Sequence, residues 1–247
     1  MSGHSKWSSI KHKKARTDAA RGKIFTKLIR EITVAARAGG GDPEANARLR
    51  LAVQTARSQN MPNDNIQRAI KKGTGELEGV TLEEFTYEGY GPAGVALMID
   101  VVSDNRNRTT AEVRHALAKH GGNLGEHGCV AWNFETCGVI RISQSQCDED
   151  TLMDAALEAG ADDVQEAGDV YEVTCAAADL HKVASALEAS NIPYETAELE
   201  RHPNTTVKLE AGDARKIIKL MEKLDDLDDV QSVSGNFVIP DEILQEG

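Results

Sequence analysis

The sequence predicts an α+β protein of three domains, and three observations support this class. Residues 1–75 show the 3.6-residue apolar period of amphipathic helices and end in a glycine-containing linker. Residues 76–134 begin with a strand hairpin followed by a helix, while residues 204–247 contain too few elements to fold alone. Residues 135–203 have the order βαββαβ, which is typical of a ferredoxin-like domain. We predict an N-terminal helical bundle, an α/β middle domain completed by the C-terminal tail, and an inserted ferredoxin-like domain.

The N-terminal bundle is predicted to contain three helices. The first spans about residues 22–37 and has an apolar face opposite a basic outer stripe. The stripe consists of Lys23, Lys27, Arg30 and Arg37. The second helix is expected to start with Asp42 as N-cap and Pro43 at its first position, and the third to end at Gly73.

The middle domain is predicted to start with a hairpin of residues 85–90 and 95–102 around a turn rich in glycine. A capping box formed by Thr109 and Glu112 is expected to start the next helix, and a strand is expected around residues 130–134. The remaining elements are strand 139–142, helix 150–159, a strand, strand 170–175, helix 180–190, strand 194–200, strand 206–209, helix 214–224 and two short strands ending at residue 239.

Charge is distributed unevenly along the chain. The net charge is −12, but the first 72 residues carry 16 Lys and Arg against 5 Asp and Glu, a net charge of +11, and the remainder carries −23. A basic segment attached to acidic domains presents one face to a polyanion and repels it elsewhere. This asymmetry indicates nucleic-acid binding through the first domain.

The candidate binding residues are cations that can neutralise backbone phosphates. They are Lys11, Lys13, Lys14, Arg16, Arg21, Lys23, Lys27, Arg30, Arg37, Arg106 and Arg108. The alternative for the N-terminal set is a merely solvated face, and for Arg106 and Arg108 it is pairing with Asp100 and Asp104. Trp7 either stacks on a base or anchors the N-terminal arm on the bundle.

Other sequence patterns do not indicate an enzyme, a cofactor or a metal. A nucleophile elbow, a phosphate-binding P-loop and the HExxH zinc motif are all missing, and the four cysteines lack CxxC spacing. Gly89, Gly91 and Gly94 match GxGxxG, but a strand rather than a helix follows them. The acidic residues of the 225–229 run are interpreted as a solvated helix end. With neither an apolar leader nor a membrane span in the sequence, we expect a soluble cytoplasmic protein.

Several long motifs resemble the YebC/PmpR family, which is related to mitochondrial translational activators of cytochrome oxidase synthesis. They are GHSKWSSIKHKKARTDAARGKIFTKLIREITVAARAGGGDPEANARLRLAV, NMPNDNIQRAIKKGTGELEG, YEGYGPAGVALMID, DNRNRTTAEVRH and GGNLGEHGCVAWNF. The resemblance implies three domains with the third inserted in the second. It also implies a cytoplasmic regulator, since members are described either as DNA-binding transcriptional regulators or as ribosome-associated factors that assist translation through proline-rich stretches.

Three hypotheses follow. The first is a DNA-binding transcriptional regulator that grips phosphates with its N-terminal cations. The second is a translation factor whose basic helices contact ribosomal RNA or tRNA; phosphate contacts alone do not distinguish these partners. The third is an enzyme with a ligand pocket in the inserted domain, for which the sequence offers no polar constellation. The sequence does not specify the oligomeric state.

Overall fold

The computed structural model describes residues 18–244, and they form two compact units. The first unit contains the described residues up to 30 together with 79–135 and those from 202 onward. The second unit contains residues 31–78 and 136–201. The predicted α+β class, with helices first and antiparallel sheets after them, is confirmed. The three-domain division of the sequence remains a prediction.

Three helices come first along the described residues, and strands and helices are interleaved after them. In chain order the elements are α1 (Asp18–Gly39), α2 (Ala47–Ser58), α3 (Asn63–Gly73), β1 (Glu83–Tyr90), β2 (Ala96–Ser103), α4 (Arg106–Lys119), β3 (Asn123–Leu124), β4 (Phe134–Ser143), α5 (Glu149–Ala159), β5 (Asp163–Ala167), β6 (Val170–Ala176), α6 (Leu180–Ala189), β7 (Thr196–Pro203), β8 (Val207–Lys208), α7 (Ala211–Asp225), β9 (Val230–Gly235), β10 (Phe237–Val238) and α8 (Asp241–Leu244). None of these helices is long and apolar enough to cross a membrane.

Helix α2 begins later than predicted. The expected start at residues 42–43 is wrong, because Asn46 is the N-cap and its side-chain oxygen accepts a hydrogen bond from the backbone nitrogen of Leu49 at 3.1 Å. The amide nitrogen of the same side chain donates to the carbonyl oxygens of Ala35 at 2.8 Å and Gly40 at 2.9 Å. Asn46 is buried, so one side chain satisfies polar groups at the end of α1 and at the start of α2.

The first unit is built on a four-stranded sheet with the order β3-β1-β2-β9. Strands β1 and β2 form the predicted antiparallel hairpin, and β9 from the C-terminal segment pairs antiparallel with β2. Helices α4 and α7 supply apolar side chains to one core with this sheet. Its fully buried members include Leu97, Ile99, Leu117, Ile217, Leu220 and Phe237. The sheet thereby fixes the loop between α7 and β9 near the end of β2.

The predicted capping box at the start of α4 is wrong. The helix begins at Arg106, because the side chain of Asn105 caps it by accepting from the backbone nitrogen of Arg108 at 3.1 Å. Thr109 is therefore inside the helix, and its hydroxyl donates to the carboxylate of Asp229. A Ser, Thr, Asp or Asn residue near a helix start does not identify the cap when several candidates lie within one turn.

The strand expected around residues 130–134 is also wrong, because Ala131–Asn133 forms a 3-10 turn and β4 starts after it. The backbone nitrogens of Gly128, Val130 and Ala131 donate to the buried carboxylate of Glu88. Burial raises the pKa of Glu88, but these three donors outweigh it and the pKa is lowered. Backbone groups that are committed to a carboxylate are unavailable for a strand ladder.

The ferredoxin-like element order of the second unit forms a four-stranded sheet with the order β5-β6-β4-β7, in which β4 and β5 each pair antiparallel with β6. Ile140, Ile142 and Val173 pack with α5 and α6 in its core. Arg141 is also buried on β4, where its guanidinium lies 3.0 Å from Glu172 and 2.6 Å from Glu200. Two carboxylates thus offset the cost of burying this charge.

Candidate nucleic-acid interface

The basic residues of the first part of α1 lie on one face of the helix. Lys23, Lys27 and Arg30 are four and three residues apart, and this spacing brings side chains together on a helix surface. In the structure each of them meets an aspartate of the segment 225–229, which connects α7 to β9 and which we call the aspartate junction. The pairs are Lys23–Asp226 at 2.5 Å, Lys27–Asp225 at 2.7 Å and Arg30–Asp229 at 2.6 Å.

The aspartate junction corrects two expectations. The acidic run is not simply a solvated helix end, since the side chain of Asp229 is only 3% exposed. The stripe on α1 is likewise not simply an outer face, since the side chains of Lys27 and Arg30 are mostly buried against the junction. Nη1 of Arg30 also lies 2.6 Å from the carbonyl oxygen of Asp228 and 2.9 Å from that of Val102.

The carboxylate of Asp229 accepts hydrogen bonds from four side chains. Its Oδ1 accepts from Arg30, and its Oδ2 accepts from Arg108 at 2.8 Å, Ser103 at 2.9 Å and Thr109 at 2.5 Å. Burial raises the pKa of this carboxyl, but the four hydrogen-bond donors lower it by more. The resulting pKa is about 2. Asp229 is therefore ionised at neutral pH and holds α1, β2 and α4 to the junction.

The three pairs differ in how accessible they are to solvent. The side chains of Lys23 and Asp226 are 47% and 48% exposed, whereas those of Arg30 and Asp229 are 18% and 3% exposed. An exposed pair contributes about 0–1 kcal/mol, and removing one partner of a buried pair costs several times more. Lys23 can exchange its aspartate for another anion at little cost, whereas Arg30 cannot.

The two arginines of α4 have different surroundings. Arg108 lies 2.7 Å from Asp104, one of the two partners expected for it, and 2.8 Å from Asp229. Arg106 is exposed, and its guanidinium lies 5.2 Å from the centre of the Phe85 ring, which is a cation–π arrangement. Of the two, Arg106 has the guanidinium that a phosphate can reach without displacing a carboxylate.

The remaining candidates are placed only in part. Lys11, Lys13, Lys14, Arg16 and Trp7 lie outside the described residues. Arg21 belongs to α1, but its side chain also lies outside the described part. Arg37 is exposed in the last turn of α1, in the second unit.

The GxGxxG match of Gly89, Gly91 and Gly94 is followed by strand β2 and not by an α-helix. Gly91 and Gly94 belong to the turn between β1 and β2. His127 is on the surface, with Nδ1 3.3 Å from Glu88. Within residues 18–244, no three His, Cys, Asp or Glu side chains are grouped so that they can hold a metal ion.

Two family profiles cover most of the chain. The TACO1/YebC protein N-terminal domain matches residues 5–76, and the TACO1/YebC second and third domain matches residues 82–237. The chain belongs to the TACO1/YebC family. The resemblance seen in the sequence motifs is thereby confirmed.

Relatives in the TACO1/YebC family align over the full length. A protein of Desulfatibacillum aliphaticivorans called "Probable transcriptional regulatory protein" is 56% identical over 100% of both chains. A protein of Pelotomaculum thermopropionicum with the same name is 57% identical over 98% of this chain and 100% of its own. The crystal structure of a conserved hypothetical protein from Aquifex aeolicus is 51% identical, covers 94% of this chain and 96% of its own, and superimposes with a TM-score of 0.89.

Proposed function

We propose that this protein is a nucleic-acid-binding regulator of gene expression, and specifically a DNA-binding transcriptional regulator that acts in the cytoplasm. The observation that carries the proposal is the net charge of +11 on the first 72 residues of a chain whose remainder carries −23. The names of the full-length relatives agree with a regulatory role. The proposal assigns no catalytic step, cofactor or metal to the chain.

Six of the eleven candidate residues have side chains that the structure describes, and these differ in what a phosphate would have to displace. Lys23 has an exposed aspartate partner, and Arg106 has an aromatic one, so both can contact phosphate at low cost. Arg30 and Arg108 share the buried Asp229, and Lys27 is mostly buried beside Asp225. We assign these three mainly to holding α1 in place, and Lys23, Arg106, Arg37 and the cations before residue 22 to the nucleic acid.

Binding of this kind depends on salt, because each neutralised phosphate releases condensed counterions. The test measures fluorescence anisotropy of the full chain with promoter duplex, random duplex and structured RNA of matched length over a range of salt concentrations. Lys23→Glu is compared with Lys216→Glu, which reverses an exposed lysine on α7 that is also paired with an aspartate. We call the magnitude of the slope of log K against log salt concentration the salt slope. The proposal predicts that Lys23→Glu weakens binding and lowers the salt slope by about 1, whereas Lys216→Glu leaves the affinity and the salt slope unchanged.

Each outcome of this test has a defined meaning. Tighter binding to promoter duplex than to random duplex supports a DNA-binding regulator. Equal binding to the two duplexes rules out regulation by sequence-specific DNA binding. Preference for RNA over both duplexes supports a translation factor instead, since the basic residues contact phosphates of either nucleic acid. If the unsubstituted chain binds none of the three at physiological salt, nucleic-acid binding itself is wrong.

A further inference from the structure

Helix α3 presents a second cationic surface. Its inner face is set by Ile66, Ala69 and Ile70, which are 0%, 1% and 7% exposed. Gly73 completes this face, because a Cβ there would lie 2.4 Å from the carbonyl oxygen of Thr33 in α1. The contact with α1 within the second unit therefore fixes which side of α3 points outward.

The outward side carries three exposed cations, Arg68, Lys71 and Lys72, which we call the α3 cationic face. Lys71 and Lys72 lie three and four residues after Arg68, so like charges lie side by side, an arrangement that destabilises a helix. The helix dipole compensates for the two lysines of the last turn. It does not compensate for Arg68, which lies in the middle of the helix.

The α3 cationic face differs from the stripe on α1 in its partners. Lys23, Lys27 and Arg30 of the stripe are each paired with an aspartate, as is Arg108 on α4. Within residues 18–244, by contrast, none of the three cations of α3 forms an ion pair. Asp64 lies four residues before Arg68, yet the two side chains are not paired. The fold thus neutralises one group of cations and leaves the other available to an external anion.

We infer that the α3 cationic face, Arg68, Lys71 and Lys72, binds the phosphate backbone of the nucleic acid. The inference rests on the proposed function and names a contact surface for it. A guanidinium binds phosphate through two parallel hydrogen bonds, and the lysines bind it as point charges. The exposed amide of Gln67, one residue before Arg68, adds a neutral donor and acceptor beside them. A polyanion is complementary to this face, and the net charge of +11 on the first 72 residues, which include all three cations, favours a nucleic acid as that polyanion.

The test compares the full chain with a triple variant, Arg68→Ala with Lys71→Ala and Lys72→Ala. Lys182→Ala is the matched control for Lys71→Ala alone, because each removes one exposed lysine from a helix of the second unit. Anisotropy is measured with duplex DNA, RNA and polyglutamate against salt, and urea unfolding checks that each variant is folded. For binding to duplex DNA, the salt slope is expected to fall by about 2–3 in the triple variant and to stay unchanged in the control. Arg68→Lys alone is expected to retain most of the slope because it keeps the charge.

The outcomes separate this inference from the proposed function. If the triple variant is folded and binds nucleic acid with an unchanged slope, the α3 cationic face is not a binding surface, although the proposed function stands. If Lys182→Ala lowers the slope as much as Lys71→Ala does, the effect is one of net charge and the inference falls. If the triple variant loses its binding to polyglutamate but keeps its binding to nucleic acid, the face binds an acidic protein and the inference is overturned too. Absence of all nucleic-acid binding by the unsubstituted chain overturns both.

Discussion

Nη1 of Arg30 lies 2.6 Å from Oδ1 of Asp229, and these two residues are separated by 199 positions in the sequence. The carboxylate is nearly inaccessible to solvent and accepts three further hydrogen bonds. The pair joins the N-terminal helix to the C-terminal segment within the first unit. Its energetic role follows from burial, because a charge that loses its partner inside a protein has no water to replace it.

Replacing Asp229 by Ala is expected to lower the free energy of unfolding by about 3 kcal/mol, because Arg30 and Arg108 then lose their common acceptor. Asp226→Ala is the matched control and is expected to cost less than about 1 kcal/mol, since its pair with Lys23 is exposed. Urea unfolding measures both values. Equal losses for the two variants would mean that burial does not set the strength of these pairs.

The depressed pKa of Asp229 predicts a pH dependence. The pKa is about 2 in the folded chain against an ordinary 3.8, so the charged form is stabilised by folding. The ionised carboxylate therefore contributes about 2 kcal/mol to the free energy of unfolding. This contribution is fully present well above pH 3.8 and is lost as the pH falls towards 2. The stability difference between the unsubstituted chain and Asp229→Asn is therefore expected to narrow by about 1 kcal/mol between pH 6 and pH 3. Asn46→Ser removes no titrating group and serves as the control, so its difference in free energy of unfolding from the unsubstituted chain should be the same at pH 6 and pH 3. If the difference for Asp229→Asn is also the same at both pH values, the prediction is wrong.

The side chain of Asn46 is expected to contribute more than an ordinary cap. Asn46→Ala removes the acceptor for Leu49 and both donors to the end of α1, with a loss of about 2–3 kcal/mol in the free energy of unfolding. Asn46→Ser keeps a cap oxygen and is expected to recover about 1 kcal/mol of this loss. Thermal or urea unfolding of the two variants separates the cap from the amide contacts. If Ser recovers everything, the bonds to Ala35 and Gly40 contribute nothing.

Two helical glycines are expected to respond in opposite directions to alanine. A Cβ at Gly73 would lie 2.4 Å from the carbonyl oxygen of Thr33, so Gly73→Ala is expected to destabilise the protein by more than about 1 kcal/mol. A Cβ at Gly22 meets nothing within 4 Å, so Gly22→Ala is expected to stabilise by about 0.5–1 kcal/mol. Unfolding midpoints of the two variants, measured side by side, test the close packing of α3 on α1. A neutral Gly73→Ala would contradict it.

Local patterns in the sequence predicted the features that depend on neighbouring residues. The period of α1 correctly placed Lys23, Lys27 and Arg30 on one face, and two strand-like segments around a glycine-rich turn correctly gave the hairpin of β1 and β2. Helix starts were less predictable. Asp42 and Thr109 are as suitable for capping as Asn46 and Asn105 are, and the choice depends on tertiary partners.

Long-range pairing was not accessible from the sequence. Nothing near Asp229 indicates that Arg30, Arg108, Ser103 and Thr109 converge on it, because these donors come from three separate elements. The sequence did contain one indication of this pairing. The acidic run 225–229 is opposite in charge to the basic stripe on α1, and oppositely charged segments of one chain attract each other. The same reasoning applies to the α3 cationic face, where the absence of partners, rather than the presence of charge, is informative.

The separation between Arg30 and Asp229 also has a consequence for how the protein is made. About 200 residues must be synthesised after Arg30 before its buried acceptor exists, which at 5–20 residues per second takes roughly 10–40 s. Throughout that interval the N-terminal stripe carries its full positive charge on the nascent chain. The first unit is completed only when its last segment arrives, so any chain that terminates before residue 229 exposes cations that the finished protein keeps paired.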